Sequence, residues 1–568
     1  MSALRALVAA VALLAAAPAA ASAHAVLQST VPERGAALDA PPGEVRLRFT
    51  EPVEARFGAI RVFDAAGREV QAGEPFHPGG RGAEIAVRLR PGLGDGGYTL
   101  TYRVISADSH PVSGGVVFAV GEAGAGARSV EELLEGTQSG PVTTTALSAA
   151  RAVQFGAIAL ALGALLFWAL CWRGALRDAR SGEPGWDAAA TAFAGRLRRL
   201  LVVAAGAGVL SGAAGIVLQG ATGAGTSFFA ALDVDVIRDV LGTRFGVVWG
   251  LGAAAWVAVL VLALAAPAVA AVPVAALALL PALGGHAGTQ EPRWLMLPAN
   301  LVHVAAVSAW IGGIGVLVLA LRGATRELGE ADRTRLLAGA VARFSTVAGA
   351  AFALILASGI AQSLAAVDAP GQLLDTAYGR ALLIKLALFA LLVGLGFVNR
   401  NRLLPALRRA AAGATAPGRA GVLLRRTLRA ELALGVIVLG VTGALATYPP
   451  AESVAAGPFA TSAPLGPARL EITVDPAQVG PNAVHLYLFD RRTGAQWDEA
   501  LEVRARAALP EADVEALPIE LARAGPGHYT AEGAAFVADG DWRLTVTARV
   551  SEFDQHEARL TVPIDGSD

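Results

Sequence analysis

The sequence holds one cysteine (Cys171), two methionines (Met1 and Met296) and one lysine (Lys385), against 45 arginines. A single cysteine excludes an intrachain disulfide and any cysteine cluster for zinc or iron–sulfur. Charge is scarce at 16% of residues, whereas hydrophobic residues reach 54% and mean hydropathy is +0.52. That excludes a disordered chain and argues against an ordinary soluble enzyme. Net charge is −1, so nothing global favours nucleic acid. No nucleotide-binding glycine loop and no Ser/His/Asp arrangement stands out. The chain therefore carries no candidate catalytic residue and no ATP-driven step. The arginine excess, beside abundant alanine and glycine, reads as a coding-composition effect.

What is present is long apolar segments. Residues 1–23 read as a secretory signal: Arg5 at the start, an apolar run from Leu7 to Ala17, and the small-residue site Ala21-Ser22-Ala23. Cleavage there leaves His24 at the new N-terminus. Eight spans are expected near 147–172, 197–219, 245–266, 268–284, 294–321, 344–366, 379–398 and 430–447, each close to the ~20 residues that cross ~30 Å of hydrocarbon. The third and fourth run together around Pro267 and Pro273. Loops 173–199, 322–343 and 399–429 carry six, five and eight arginines; loops 220–243, 285–293 and 367–378 carry one, one and none. Arginine-rich loops belong on the cytoplasmic side. Both termini then face outward across the cytoplasmic membrane, in agreement with the signal.

Residues 24–120 alternate apolar and polar side chains at Val45–Phe49, Ile85–Leu89 and Tyr98–Val104, the mark of half-buried strands in a small sandwich or barrel. Two places in it carry chemistry. An N-terminal His24 offers an α-amine, of reference pKa ~8, and an imidazole nitrogen from one residue. Asp108-Ser109-His110 adds a carboxylate and a second imidazole. Nitrogen and oxygen donors of this kind favour Cu(II). His77, beside a Pro-Gly-Gly turn, reads as a surface residue.

The segments His24-Ala-Val-Leu-Gln-Ser-Thr-Val-Pro, Leu47-Arg-Phe-Thr-Glu-Pro-Val and Ser106-Ala-Asp-Ser-His-Pro-Val-Ser-Gly-Gly resemble the periplasmic copper-binding family CopC. The resemblance implies a cupredoxin-like β-barrel in which His24, Asp108 and His110 bind Cu(II). Some members add a methionine-rich Cu(I) site, for which this domain has no methionine.

Polar residues at lipid depth are rare and often functional. His286 lies at the outer end of the fourth span and His303 about two turns into the fifth, where Asn300, His303, Val307 and Trp310 share a face. Gly312-Gly313 permits close helix approach. Met296 lies near His303, and the three residues His286, His303 and Met296 form a candidate relay for copper, as Cu(I) if it is reduced. Lys385, in the seventh span, is expected to pair with a carboxylate such as Asp375 or to line a cavity. His286-Ala, Trp310-Ile-Gly-Gly, Arg343-Phe-Ser, Lys385-Leu-Ala-Leu, Asn399-Arg-Asn-Arg-Leu and Arg429-Ala-Glu-Leu resemble the copper-resistance membrane family CopD over 147–450.

Residues 121–146 read as a linker around a short helix at Val130 to Glu135. Residues 455–568 alternate again (Leu470–Val474, His485–Phe489, Trp542–Thr547, Ala558–Val562) and resemble the YtkA-like domain, which implies an Ig-like β-sandwich. His485, His528 and His556 are expected to be structural or superficial. The whole is thus a multidomain membrane protein: a cupredoxin-like β-barrel, an eight-helix transmembrane bundle and a C-terminal Ig-like sandwich. The reading is of a non-enzymatic protein that captures Cu(II) and hands it to the membrane domain, for import or for resistance. Its expected partners are the copper ion, the bilayer and a periplasmic copper acceptor or chaperone. A haem-binding membrane cytochrome using His286 and His303, or a copper-dependent oxidative enzyme with an N-terminal histidine brace, are the alternatives.

Overall fold

A computed structural model describes residues 25–107, 109–121, 127–134, 139–180, 185–285, 288–290, 292–367, 370–448, 459–564 and 566. His24, Asp108, His286 and the signal segment lie outside the described residues. The chain forms two compact units, one of helices (140–222 and 227–452) and one of strands (24–139, 223–226 and 453–568).

Among the described residues of the helical unit, seven helices are long and apolar enough to cross a membrane: α1 Pro141–Ala179, α2 Trp186–Ala224, α3 Arg244–Ala265, α4 Arg293–Leu319, α5 Glu330–Leu364, α6 Ala377–Ala412 and α7 Gly418–Leu445. Local chemistry starts several of them. Pro141 stands in the first turn of α1, and the Thr243 and Thr376 hydroxyls accept from Gly246 N and Gly379 N to cap α3 and α6. The expected fourth span is different. It forms two short helices, Ala271–Leu277 and Leu280–Leu283. Pro281 in the first turn of the second helix cannot donate to a hydrogen bond that would continue the first.

Glycines set the closest helix contacts. A Cβ on Gly163 of α1 would overlap Ser308 O, and one on Gly312 of α4 would overlap Ala159 O. The two backbones touch there, as Gly312 was expected to allow. Trp168–Trp172, Ser308–Gly312 and Asn399–Leu403 are π-helical turns within α1, α4 and α6. Each inserts a residue and rotates the rest of its helix to a new heading.

The strand unit holds two β regions. The first has β1 Leu27–Val31, β2 Ala37–Leu38, β3 Glu44–Phe49, β4 Val53–Glu54, β5 Ile60–Phe63, β6 Gln71–Phe76, β7 Glu84–Leu89, β8 Gly96–Ser106 and β9 Pro111–Val120. Its sheets run β1-β3-β7-β6 and β2-β9-β8-β4, with β5 also on β8. Val45, Leu47, Phe49, Ile85 and Val87 meet Leu100, Val104, Val116 and Phe118 in one core. The second region has β10 Phe459–Leu465, β11 Ala468–Asp475, β12 Gly480–Asp490, β13 Glu502–Leu509, β14 Val514–Ile519, β15 Ala522–Gly525, β16 His528–Phe536, β17 Gly540–Arg549 and β18 Gln555–Ile564. Its sheets run β10-β11-β12-β16-β15 and β14-β13-β17-β18, closing on a core that contains Leu470, Leu486, Leu544 and the fully buried Trp542.

Two expectations need correcting. Strand β8 is not half-buried: Thr99 and Thr101 on its second face are also buried. The cause is the expected linker, part of which is no free tether. Arg128 N donates to Thr99 Oγ1 (2.9 Å), Thr99 Oγ1 donates to Arg128 O (2.6 Å), and Arg128 pairs as an isolated bridge with Ala495. Ala127 and Val130 then pack with Val117 of the first β region and Tyr487 and Phe489 of the second. Three apolar contributions from three segments make burial more favourable than solvation.

Candidate metal-binding sites

His110 closes the β8–β9 hairpin. Ser106 N donates to His110 O (2.9 Å), Ser106 Oγ donates to the same oxygen (2.9 Å) and Ser109 N donates to Ser106 O (2.9 Å). Ser109 sits at φ +75°, a left-handed conformation that a non-glycine residue adopts at a cost of order 1 kcal/mol or more. Pro111 restricts His110 in turn. The result is a tight turn that holds the His110 side chain buried, at 6% exposure.

The segment that follows His24 reaches the same neighbourhood. Val26 N donates to Thr50 Oγ1 (2.9 Å) and Thr50 N donates to Val26 O (2.9 Å). Three residues on, Val53 of β4 pairs with Ser106, the first residue of the His110 turn. The segments flanking His24 and Asp108 therefore converge on residues 50–54. Among the described residues no three His, Cys, Asp or Glu side chains come together as a metal cluster.

In the helical unit, His303 Nδ1 lies 3.0 Å from Ser358 Oγ, and Asn300 Nδ2 donates to Gln362 Oε1 (3.0 Å). Helix α4 thus turns Asn300 and His303 toward α5. Trp310 departs from that face. The π-helical turn beginning at Ser308 carries it to α6, edge-on to Phe389 at 5.9 Å. There it lines a cavity of about 240 Å3 with Phe344, Phe352, Asn399, Arg400 and Glu431. Met296 is buried on α4. Lys385 makes no ion pair with Asp375 among the described residues; Asp375 O instead accepts from Arg380 Nη1 (3.1 Å).

Three groupings went unread in the sequence. Glu431 on α7 is buried and accepts from Asn399 Nδ2 (3.0 Å), whose Oδ1 accepts from Thr427 Oγ1 (2.6 Å). The motifs Asn399-Arg-Asn-Arg and Arg429-Ala-Glu were visible, but nothing in their spacing joined them. Arg151, Gln154, Ser211 and Gln219 likewise bury together between α1 and α2.

The third is His485 and His528, 43 positions apart, with His485 Nδ1 3.4 Å from His528 Nε2. Burial, and then the nearby Arg34 guanidinium, hold His485 down at about 4. Burial, and then His485, hold His528 down at about 4. Both rings are neutral at pH 7. Burial pushes the neighbouring Tyr487 phenol up.

Comparison with known proteins gives concordant results. Residues 27–121 match the CopC domain, 142–296 the copper resistance protein D-like N-terminal domain, and 338–445 copper resistance protein D. The copper transport protein CutJ of Bacillus subtilis (strain 168) is 28% identical over 484 residues, 82% of either chain. Copper resistance protein D of Pseudomonas syringae pv. tomato is 30% identical over 270 residues, 44% of this chain and 84% of that one. Among solved structures, CopC from Methylosinus trichosporium OB3b is 30% identical, covering 17% of this chain and 93% of its own, at a TM-score of 0.16.

Proposed function

Since this chain belongs to the copper resistance protein D family and carries a CopC domain in the same polypeptide, we propose that it captures Cu(II) outside the cytoplasm and passes copper to its membrane helices. His24 supplies an amine and an imidazole, Asp108 a carboxylate and His110 a second imidazole, a nitrogen–oxygen set suited to Cu(II). The observation that carries this reading is the convergence of Val26 and the Ser106–His110 turn on residues 50–54.

Orientation follows from arginine. With only the seven long helices crossing, the arginine-rich loops 173–199 and 322–343 would fall on opposite sides. Counting Ala271–Leu283 as an eighth crossing returns every arginine-rich loop to the cytoplasm and both termini to the outside. Its 13 residues rise only about 20 Å, so the adjoining non-helical chain must complete that crossing inside the protein. His286, His303 and Met296 then belong to the outer half of an inner-membrane protein, on the side from which copper arrives.

The test is Cu(II) titration of the processed full-length protein in detergent, read by competition and by electron paramagnetic resonance. His110→Ala, or one extra residue ahead of His24, is expected to weaken binding by tenfold or more. Unchanged affinity in both would remove the capture site. Copper accumulation in cells carrying His303→Ala tests the membrane step, and wild-type accumulation would exclude the relay.

A further inference from the structure

The exposed face of a β-sandwich sheet is normally polar. Strand β12 departs from this. Val484, Leu486 and Leu488 enter the sandwich core, and the opposite face presents His485, Tyr487 and Phe489. Tyr487 is in register with His528 on β16, and His485 with Thr530, so the two imidazoles meet across adjacent strands.

Their placement is rigid. His528 opens β16 directly after Gly527, whose φ is +57° and whose N–H donates to Asp498 Oδ1 (2.8 Å). Tyr487 stacks on the His528 ring at 4.2 Å between centroids. The first β region covers the pair. Gly35, at φ +72°, comes so near that a Cβ there would stand 2.9 Å from His528 Cε1 and 3.5 Å from His485 Nδ1. That turn is itself fixed, because Gly35 N donates to Val117 O (2.7 Å) and Arg34 Nη1 to Gly115 O (3.2 Å).

We propose that His485 and His528 form a second copper site, a two-imidazole clamp on the C-terminal sandwich closed by the Arg34–Gly35 turn. Two observations converge. The facing nitrogens are 3.4 Å apart, too long for a good N–H···N hydrogen bond. With metal–nitrogen bonds of about 2.0 Å, that separation subtends about 115°, the angle of a three- or four-coordinate ion. The Tyr487 hydroxyl is buried with no hydrogen-bond partner among the described residues, so a polar group beside the pair is otherwise unused.

The charge of the ion follows from its surroundings. Two neutral donors and the nearby Arg34 cation favour a singly charged ion, which selects Cu(I) over Cu(II) and Zn(II). Copper, among imidazole-seeking ions, rests on the proposed function; the donor pair does not.

The experiment titrates Cu(I), kept reduced by ascorbate, into the full-length protein in detergent against a chromophoric Cu(I) chelator. Four proteins are compared: wild type, the capture-site variant His24→Ala/His110→Ala, the clamp variant His485→Gln/His528→Gln, and Gly35→Val, which keeps both donors but forces a side chain against them. The clamp variant should lose one Cu(I) equivalent that the capture-site variant retains, and Gly35→Val should weaken that equivalent by tenfold or more. A clamp variant with the wild-type stoichiometry overturns the proposal and leaves the capture reading intact. A capture-site variant with unchanged Cu(II) binding does the reverse. X-ray absorption of the capture-site variant loaded with one equivalent covers the case in which the clamp variant fails to fold. Imidazole scattering from two rings is expected, and sulfur scattering from Met296 or Cys171 overturns the assignment. Zn(II) bound at that equivalent in preference to Cu(I) overturns it as well.

Discussion

Lowering the pH from 7 to 5 should loosen the strand unit, and His485 and His528 should account for most of the effect. Both titrate at about 4 in the folded protein, held down chiefly by burial, against an ordinary value of 6.5. Between pH 6.5 and 4 the unfolded chain therefore binds protons that the folded chain refuses. The stability from these neutral rings is complete above pH 6.5, declines as pH falls through that value, and levels off below about 4. Over the step from pH 7 to 5 this costs about 2 kcal/mol for one histidine. A second proton meets the first ring 3.4 Å away, so it adds repulsion. The other charged groups at the interface do not remove the cost. Arg34 is a cation, and Glu471 is already engaged by Ser129 Oγ and Arg469. One protonation at about 2 kcal/mol lowers the melting temperature of a unit this size by about 4–8 °C. Scanning calorimetry of the full-length protein in detergent at pH 7, 6 and 5, for wild type and His485→Gln/His528→Gln, isolates these rings from the other titrating groups. The variant should show a clearly shallower fall in melting temperature. A parallel fall in both proteins would refute the reasoning.

Two predictions concern the helical unit. Gly312→Val places carbon where Ala159 O already sits, whereas Gly156→Ala meets only Leu439 Cδ1 at 3.8 Å. Thermal unfolding in detergent should show the first destabilised by at least 1–3 kcal/mol and the second within about 0.5 kcal/mol of wild type; equal effects would deny the α1–α4 contact. Asn399→Ala and Glu431→Ala should be coupled through their hydrogen bond, and a double-mutant cycle on unfolding should return an interaction of about 1–2 kcal/mol. Strict additivity would mean that the bond contributes nothing.

The legible parts of this fold share one property: a periodic burial that a single element expresses by itself. Long apolar runs announced the helices because a bilayer requires them. Alternation announced β3 and β17 because one face is buried and the other is more exposed. The pairing of Gly312 with its neighbour was legible because only glycine allows two helix backbones to touch. Where burial depends on a partner far away in sequence, that legibility failed. Lys385 was expected to pair with a carboxylate such as Asp375 or to line a cavity, and among the described residues it makes no ion pair with Asp375. Trp310 was placed by helical periodicity, which the π-helical turn at Ser308–Gly312 interrupts.

The outer face of β12 shows why the histidine pair was hidden and which signal pointed to it. Alternation places His485, Tyr487 and Phe489 on the face turned away from the core, where a solvated strand would carry Thr, Lys, Glu or Arg. A strand whose supposed solvent face is aromatic has a second partner. In this protein the partner is assembled from Val117, Ala127 and Val130, three residues that no local pattern connects to β12. The same argument extends to β8, whose second face buries Thr99 and Thr101 under residues 127–130. Two sheets with unexpectedly dry outer faces, separated in sequence by the entire helical unit, cover each other through one short segment. The histidines gained their low affinity for protons from that covering. In a chain with almost no sulfur to offer a metal, neutral imidazoles sheltered from water are the donors it has left.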